Sequence, residues 1–560
     1  MRLGARVVSL LVVVAGCVDT RQTEDPVSEG GAAVVNPGTL DPSLPDSPAR
    51  PVLDCSGYPR VGEEPSTASR PEPLPLTDLP LTDAPLVGSG PYRWSNVTIK
   101  GGGFVSGIVF GTAAADSIYA RTDVGGAYRY DAALARWRPL TDFIGAGESN
   151  LMGIESIALD PTDASKVYLA AGTYLGAGDG FILSSSDHGQ SFARHAIGAP
   201  MGGNADGRSM GERLTVDPSQ PSTLYFGSRN DGLLVSRDSA ASWQPLASFP
   251  VLGALDLGLS FVLVDPRGST PGEPSPTIYV GVARLADDDV AELGADGRDS
   301  RNPTHALFRS SDAGQSWEAV PGQPSALMPH HAALDAAGRL FLSYSDRPGP
   351  NDIRRGAVYR LDTTTGEWAN VSPPRPSNQG GGFAGVSVAR DASGVVMVST
   401  IDVWPDEIYR SVDGGECWTA IGPRARRDVR GAEWLRFGAG EPTATGWMGD
   451  IEIDPFDSNR VLYITGQGIW WSDDAPAADV AAATHWSFHN QGLEETVALG
   501  LLSPPEGARL LSAVGDIAGF RHDDFAVSPP GGMYANPRFG NTTSLDFAEA
   551  LPAVVVRSGT

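Results

Sequence analysis

Positive charge is scarce in these 560 residues. Lys and Arg number 41 against 67 Asp and Glu, a formal net charge of -26. Such a field repels a phosphate backbone, so nucleic acid is not an expected partner, while a neutral polysaccharide is indifferent to it. Cysteine is scarcer, with only Cys17, Cys55 and Cys417. Three thiols exclude a disulfide framework. One bridge is arithmetically possible, and Cys55 and Cys417 are expected as two unpaired thiols. Histidine and cysteine nowhere fall at metal-ligand spacing, and no Gly-rich phosphate loop opens a helix. Neither metal nor cofactor is therefore expected. Charged residues make up only 19% of the chain, which disfavours long solvated helices.

Glycine (68) and tryptophan (12) are plentiful, a mixture that suits many short strands joined by tight turns. At the start, Arg2 and Arg6 precede an apolar run of ten at 7–16 (VVSLLVVVAG). That run is too short to span a bilayer and fits the apolar segment of a signal peptide. It ends in Val14-Ala15-Gly16-Cys17, which resembles the lipobox of bacterial lipoproteins; an ordinary signal peptide with a chance cysteine is the alternative. Residues 1–17 thus read as a lipoprotein signal with Cys17 as the acylated residue. The implied location is secreted, at the cell surface or outer membrane of a bacterium. Residues 18–91 hold 14 of the 45 prolines and show no strand or helix period. Such a segment cannot bury enough apolar surface to offset its ordering entropy, so a tether is expected.

From Tyr92 onward the chain repeats itself. One unit is an apolar strand ending in Asp-Pro, a polar turn, and a second strand with an aromatic. It occurs as IALDPTDASKVYLAAG (157–172), LTVDPSQPSTLYFGS (214–228) and IEIDPFDSNRVLYITG (451–466), and in longer form from Phe261. A second unit, Ser-x-Asp-x-Gly-x-x-Trp/Phe, occurs at Ser185–Phe192, Ser310–Trp317 and Ser411–Trp418, with a degenerate copy at Ser236–Trp243. It resembles the Asp box of sialidases and related propellers. Its aspartate can accept backbone N–H groups across a turn, its glycine permits positive φ, and its aromatic fills the gap between sheets. Asp187, Asp238, Asp312 and Asp413 therefore read as structural. An all-β propeller architecture is expected.

Longer stretches carry a closer resemblance: GGGFVSGIVF (101–110), YARTDVGGAYRYD (119–131), NLMGIESIALDPTD (150–163), MGGNADGRSMGERL (201–214), MPHHAAL (328–334), WMGDIEIDPF (447–456) and LLSAVGDIAGFRHDD (510–524). Together they resemble glycoside hydrolase family 74, the xyloglucanases and related endo-β-1,4-glucanases. The resemblance implies tandem seven-bladed β-propellers with a polysaccharide cleft between them, and hydrolysis with inversion. Inversion needs one carboxylate to deprotonate water and one carboxylic acid to protonate the leaving oxygen, ~6.5–9.5 Å apart. The matched motifs imply Asp123 as base and Asp450 as acid. Each has a bland alternative. Asp123 lies in a stretch that itself looks like an Asp box, and Asp450 precedes a strand, where turn aspartates are common. Asp454 belongs to the Asp-Pro unit; Asp450 does not.

Sugar subsites need flat apolar faces. Trp404 is the first candidate, although the family often has two adjacent tryptophans where this chain has Val403-Trp404. Tyr128, Trp447 and Trp471 are further candidates, with inter-blade packing as the alternative. His330 and His331 could line the cleft or be fixed by backbone bonds. Arg208 and Arg229 could donate to hydroxyls or pair within blades. The expected organisation is a first propeller at 92–430 and a partial second at 431–560, since two full propellers need roughly 630 residues. An incomplete second propeller is expected to support Asp450 poorly and to lower activity and solubility. A surface glycan-binding lipoprotein with the same fold, but no catalysis, is the competing class. A sialidase is suggested by the Asp boxes alone; the arginine triad and tyrosine nucleophile that a sialidase uses form no recognisable constellation here, and the longer motifs point elsewhere.

Overall fold

The computed structural model describes residues 96–560, except 251–257, 284–305, 325–326, 376–379, 391–393, 438–441 and 443–445. The expected signal segment with Cys17 and the expected tether at 18–91 lie outside the described residues.

Short apolar runs separated by Gly-rich and Asp-rich turns fold here as antiparallel meanders. Six four-stranded sheets follow one another: blade I (105–139), blade II (154–200), blade III (214–245), blade IV (258–319), blade V (328–370) and blade VI (382–420). Blade VII (425–488) has five strands, the extra one being Ala425–Asp428, which runs parallel to Thr484–Phe488. The first strand of each blade contacts the next blade, and Ile451–Asp454 of blade VII contacts Val105–Phe110 of blade I, so the ring closes. Because sheets stack on both faces, strands such as Ile118–Thr122, Val167–Ala171 and Gly468–Ser472 are buried at every position. This is why Val167–Ala171 (VYLAA) reads as a continuous apolar run instead of an alternating one.

The closing seam is a core of its own. Tyr128, Tyr130 and Trp137 of blade I pack against Leu462, Ile464, Ile469 and Trp471 of blade VII. Tyr130 lies 5.3 Å from Trp137 and 5.1 Å from Trp471, ring to ring. The Trp137 indole N–H donates to the carbonyl of His489 at 2.7 Å. A division after residue 430 was expected; instead, residues 425–488 form one sheet wedged between blades VI and I. Among the described residues six blades precede residue 430, and contacts with blades VI and I hold blade VII in the same ring. Beyond it lie a three-stranded sheet (498–522) and a hairpin (542–559).

The repeated turns are local hydrogen-bond devices. In the Asp-Pro units the carboxylate accepts from the backbone two residues on: Asp160 from Thr162, Asp217 from Ser219 and Asp454 from Phe456, at 2.8–2.9 Å. In the Ser-x-Asp units the serine hydroxyl donates to the aspartate. The same aspartate Oδ1 accepts from the residue four positions on: Asp187 from Ser191, Asp238 from Ser242, Asp312 from Ser316 and Asp413 from Cys417. Hydrogen bonds from Ser316 and Ser310 hold the Asp312 carboxyl down to about 2. The stabilisation from Asp312 is present above the ordinary value of 3.8 and is lost as pH falls through about 2. Asp312→Ala is expected to lower the Tm by a few degrees without changing turnover; a thermal melt beside an activity assay checks both.

Cys417 is disulfide-bonded. The expectation that Cys417 is an unpaired thiol is therefore corrected.

Candidate active site

Asp123 sits in the turn between Ile118–Thr122 and Ala127–Asp131. In the Ser-x-Asp turns the aspartate ties the loop. Here Thr122 does so, its hydroxyl accepting from Gly125 N–H at 2.8 Å and donating to the Gly126 carbonyl at 3.0 Å. Gly126 has φ of 90°, and a Cβ there would meet Thr141 Oγ1 at 1.9 Å, so only glycine fits. The Asp123 carboxyl is thereby released from turn duty. Its Oδ2 accepts from Arg208 Nε at 3.1 Å, and it hydrogen-bonds with the carboxyl of Glu495. Burial raises its pKa, and Arg208 and the hydrogen bonds offset part of that rise.

Asp450 opens Ile451–Asp454, the inner strand of blade VII. Its Oδ2 accepts from Ile108 N–H of blade I at 2.9 Å, and its Oδ1 from Ile451 N–H at 2.8 Å. His331 Nε2 lies 3.8 Å from Oδ1. Burial pushes the Asp450 pKa up to about 7; Glu212 adds to the rise, while Arg121 and the two N–H groups oppose it. Glu452, two residues on, is raised well above the usual range by burial and by the charge of Asp450, and accepts from Ser387 Oγ at 2.7 Å.

The 201–213 loop links the two aspartates. Its Arg208 holds Asp123, and the Arg208 guanidinium lies 5.2 Å from the Phe104 ring and 5.5 Å from the Trp447 ring. Ser209 packs so closely on Gly449 that a Cβ there would sit 2.7 Å from the serine Cβ. Glu212 receives Arg121 Nε at 2.8 Å and Ile157 N–H at 2.7 Å, and faces Asp450 electrostatically. The aspartates therefore lie on adjacent blades of one ring, joined by one loop.

The sequence-derived binding residues divide. Trp404 is 78% exposed and free to present a flat face. Its loop is tied into the site region: Ile353 N–H donates to Asp402, and Asp406 accepts from the N–H groups of Val403 and Met448. Trp447 stays accessible, packs on Phe104 at 5.2 Å, and donates to Asn351 Oδ1 at 2.7 Å. Tyr128 is corrected: it is buried in the closing seam and offers no face to a ligand. His330 is corrected as well. It is fully buried, its Nδ1 is 2.8 Å from His331 Nδ1, and burial with the nearby Arg213 charge lowers its pKa to about 3. Arg229 is also buried. It pairs with Glu155 and donates to the carbonyls of Asp206 and Gly202, pinning the 201–213 loop from below. Arg121, Arg213 and Arg229 converge, but they meet Glu212 and Glu155 instead of an open anion site.

Glu155 is fully buried. Burial raises its pKa, yet Arg229 and Arg213 together bring it below the ordinary value. Removing one partner of such a buried pair costs ~3–5 kcal/mol. Glu155→Ala is therefore expected to lose about that much stability in denaturant titration, with the 201–213 loop loosened. Sequence reasoning missed Glu212 and Glu495. Glu212 lies inside a quoted motif without a chemical signature, and Glu495 contacts residue 124 from 371 positions away.

No family model matches the chain. A xyloglucanase of Paenibacillus sp is 42% identical over 506 residues, covering 84% of this chain and 47% of that protein. A xyloglucanase of Acetivibrio thermocellus is 40% identical over 502 residues, covering 83% of this chain and 57% of that protein. Among solved structures, the family 74 xyloglucanase of Xanthomonas campestris aligns with a TM-score of 0.76 at 42% identity, covering 84% of this chain and 66% of that one. The chain spans about half the length of the curated relatives it matches. With this identity, the propeller blades and the matching motifs, the chain belongs to glycoside hydrolase family 74.

Proposed function

We propose that this protein is an inverting, endo-acting glycoside hydrolase that cleaves the β-1,4-glucan backbone of xyloglucan. The observation that carries the proposal is the unlike pair of buried aspartates. Asp450, held near pH 7 by burial, keeps its proton in mildly acidic solution and can give it to the glycosidic oxygen. Asp123, facing the Arg208 cation, is the one to take a proton from water. The water oxygen then bonds to the anomeric carbon as the bond to the leaving sugar breaks, which inverts that centre. A protein that only binds glycan has no need of a buried acid kept protonated beside a paired carboxylate. Reducing-end release from xyloglucan and from unbranched β-1,4-glucan tests the proposal. Fast release from xyloglucan, with internal cuts seen by product sizing, supports it; inert xyloglucan overturns it.

Trp404 and Trp447 serve as sugar platforms. Stacking on an aromatic face contributes on the order of 1 kcal/mol beyond buried area. Trp404→Ala is therefore expected to raise KM about five- to tenfold with little change in kcat, read from initial rates on xyloglucan. Cys17 carries lipid and places the enzyme at the bacterial cell surface, with 18–91 as the tether. The basic start, the apolar run at 7–16 and the cysteine at its end support this placement. The Ser-x-Asp turns serve as Asp boxes.

A further inference from the structure

Glu495 lies on the segment that crosses from blade VII back to blade I, and its own N–H donates to the Gly101 carbonyl at 2.7 Å. Its Oε1 accepts from Val124 N–H at 3.1 Å, the residue after Asp123. Its Oε2 is buried, and the Glu495 carboxyl hydrogen-bonds with the Asp123 carboxyl and with the Thr122 side chain. Two carboxyl groups can bond in this way only if one of them carries a proton.

The site is shaped for this side chain. A Cβ on Gly125 would stand 2.4 Å from Glu495 Cγ, and one on Gly103 would stand 2.8 Å from Oε2. The neighbouring Glu494 locks the same segment, accepting from Ile99 and Lys100 N–H at 3.0 and 2.8 Å. The charged and titratable groups around the pair are Arg208, Tyr128, Asp142, Glu494 and Lys100. Arg208 lies on the Asp123 side, bonded to its Oδ2. That cation favours the anion on Asp123 over Glu495.

Resting on the proposed role of Asp123 as base, we infer that Glu495 is a positioning residue that stays protonated and donates a hydrogen bond to the Asp123 carboxylate. That bond fixes the carboxylate oxygen that meets the water. It also keeps Asp123 ionised at a lower pH than burial alone would allow. The direction of the shifts agrees: the hydrogen bond lowers Asp123, while burial and the Asp123 charge raise Glu495 well above the usual range.

Glutamine in place of Glu495 keeps the shape and an N–H donor but has no acidic proton; leucine removes the donor. Glu495→Gln is expected to retain kcat within about threefold, with the acidic limb of kcat/KM in place. Glu495→Leu is expected to move that limb up by about one pH unit and to lower kcat on the order of tenfold or more. A purely structural Glu495 would lower Tm in both variants and move neither limb. An infrared difference spectrum at neutral pH reads the proton without any turnover: wild type minus Glu495→Gln should show one carboxylic-acid C=O band lost. Loss of that band supports the proton on Glu495, even if xyloglucan proves not to be the substrate. An unchanged acid band, or a folded leucine variant with an unmoved limb, overturns the inference.

Discussion

Asp450→Asn is expected to lower kcat on xyloglucan by about 10²–10⁴-fold, the range attributed to a positioned general acid. Asparagine keeps the size of the side chain but has no transferable proton. It can also accept only one of the two N–H groups, Ile108 and Ile451, that the carboxyl oxygens take. A modest fall in Tm should accompany the loss. A glucan-derived substrate with an activated aryl leaving group needs little protonation, so the loss on it should be much smaller; equal losses on both substrates would remove Asp450 from the acid role. The wild-type pH profile follows from the same residue. Its folded pKa is raised, so the acid form is lost as pH rises through about 7, and activity should fall on that limb. Stability moves in the same direction. The contribution of a raised carboxyl is full below 3.8 and is lost as pH passes about 7.

Asp123→Asn should cost as much on natural substrate, about 10²–10⁴-fold, but with a different signature. Activating the leaving group should not rescue it, because what is missing is the group that takes the proton from water. Folding should survive, since Thr122 and not Asp123 ties the turn. Initial rates on the two substrates, measured with both variants, separate base from acid. Rescue of both variants, or of neither, by a good leaving group would show that the roles are misassigned.

What was legible in the sequence was local. The Asp-Pro and Ser-x-Asp turns close through bonds two to four residues apart, so their chemistry is written in consecutive letters. Strands such as Val167–Ala171 were legible as unbroken apolar runs. Asp123 and Asp450 were singled out by motif resemblance alone; in the structure their carboxyls reach distant partners, Arg208 and Ile108 N–H, unlike the aspartates of the repeated turns. The ring closure was not legible, because it depends on Tyr130 and Trp137 meeting Trp471 and His489 across more than 300 residues. The same distance hid Glu495. Tyr128, His330 and Arg229 looked available because aromatic, imidazole and guanidinium groups suit sugars. Their burial is decided by the neighbouring blade, which periodicity on one strand does not reveal.

The most direct measurement is the configuration of the first reducing ends released from xyloglucan, followed by proton NMR at early times. A base and an acid acting on opposite faces of the sugar ring produce the α-anomer first, with the β-anomer growing in later by mutarotation. Early accumulation of the α-anomer is the predicted result. Early accumulation of the β-anomer would mean a covalent, retaining path and would contradict the assignment of Asp123 and Asp450 as an inverting pair.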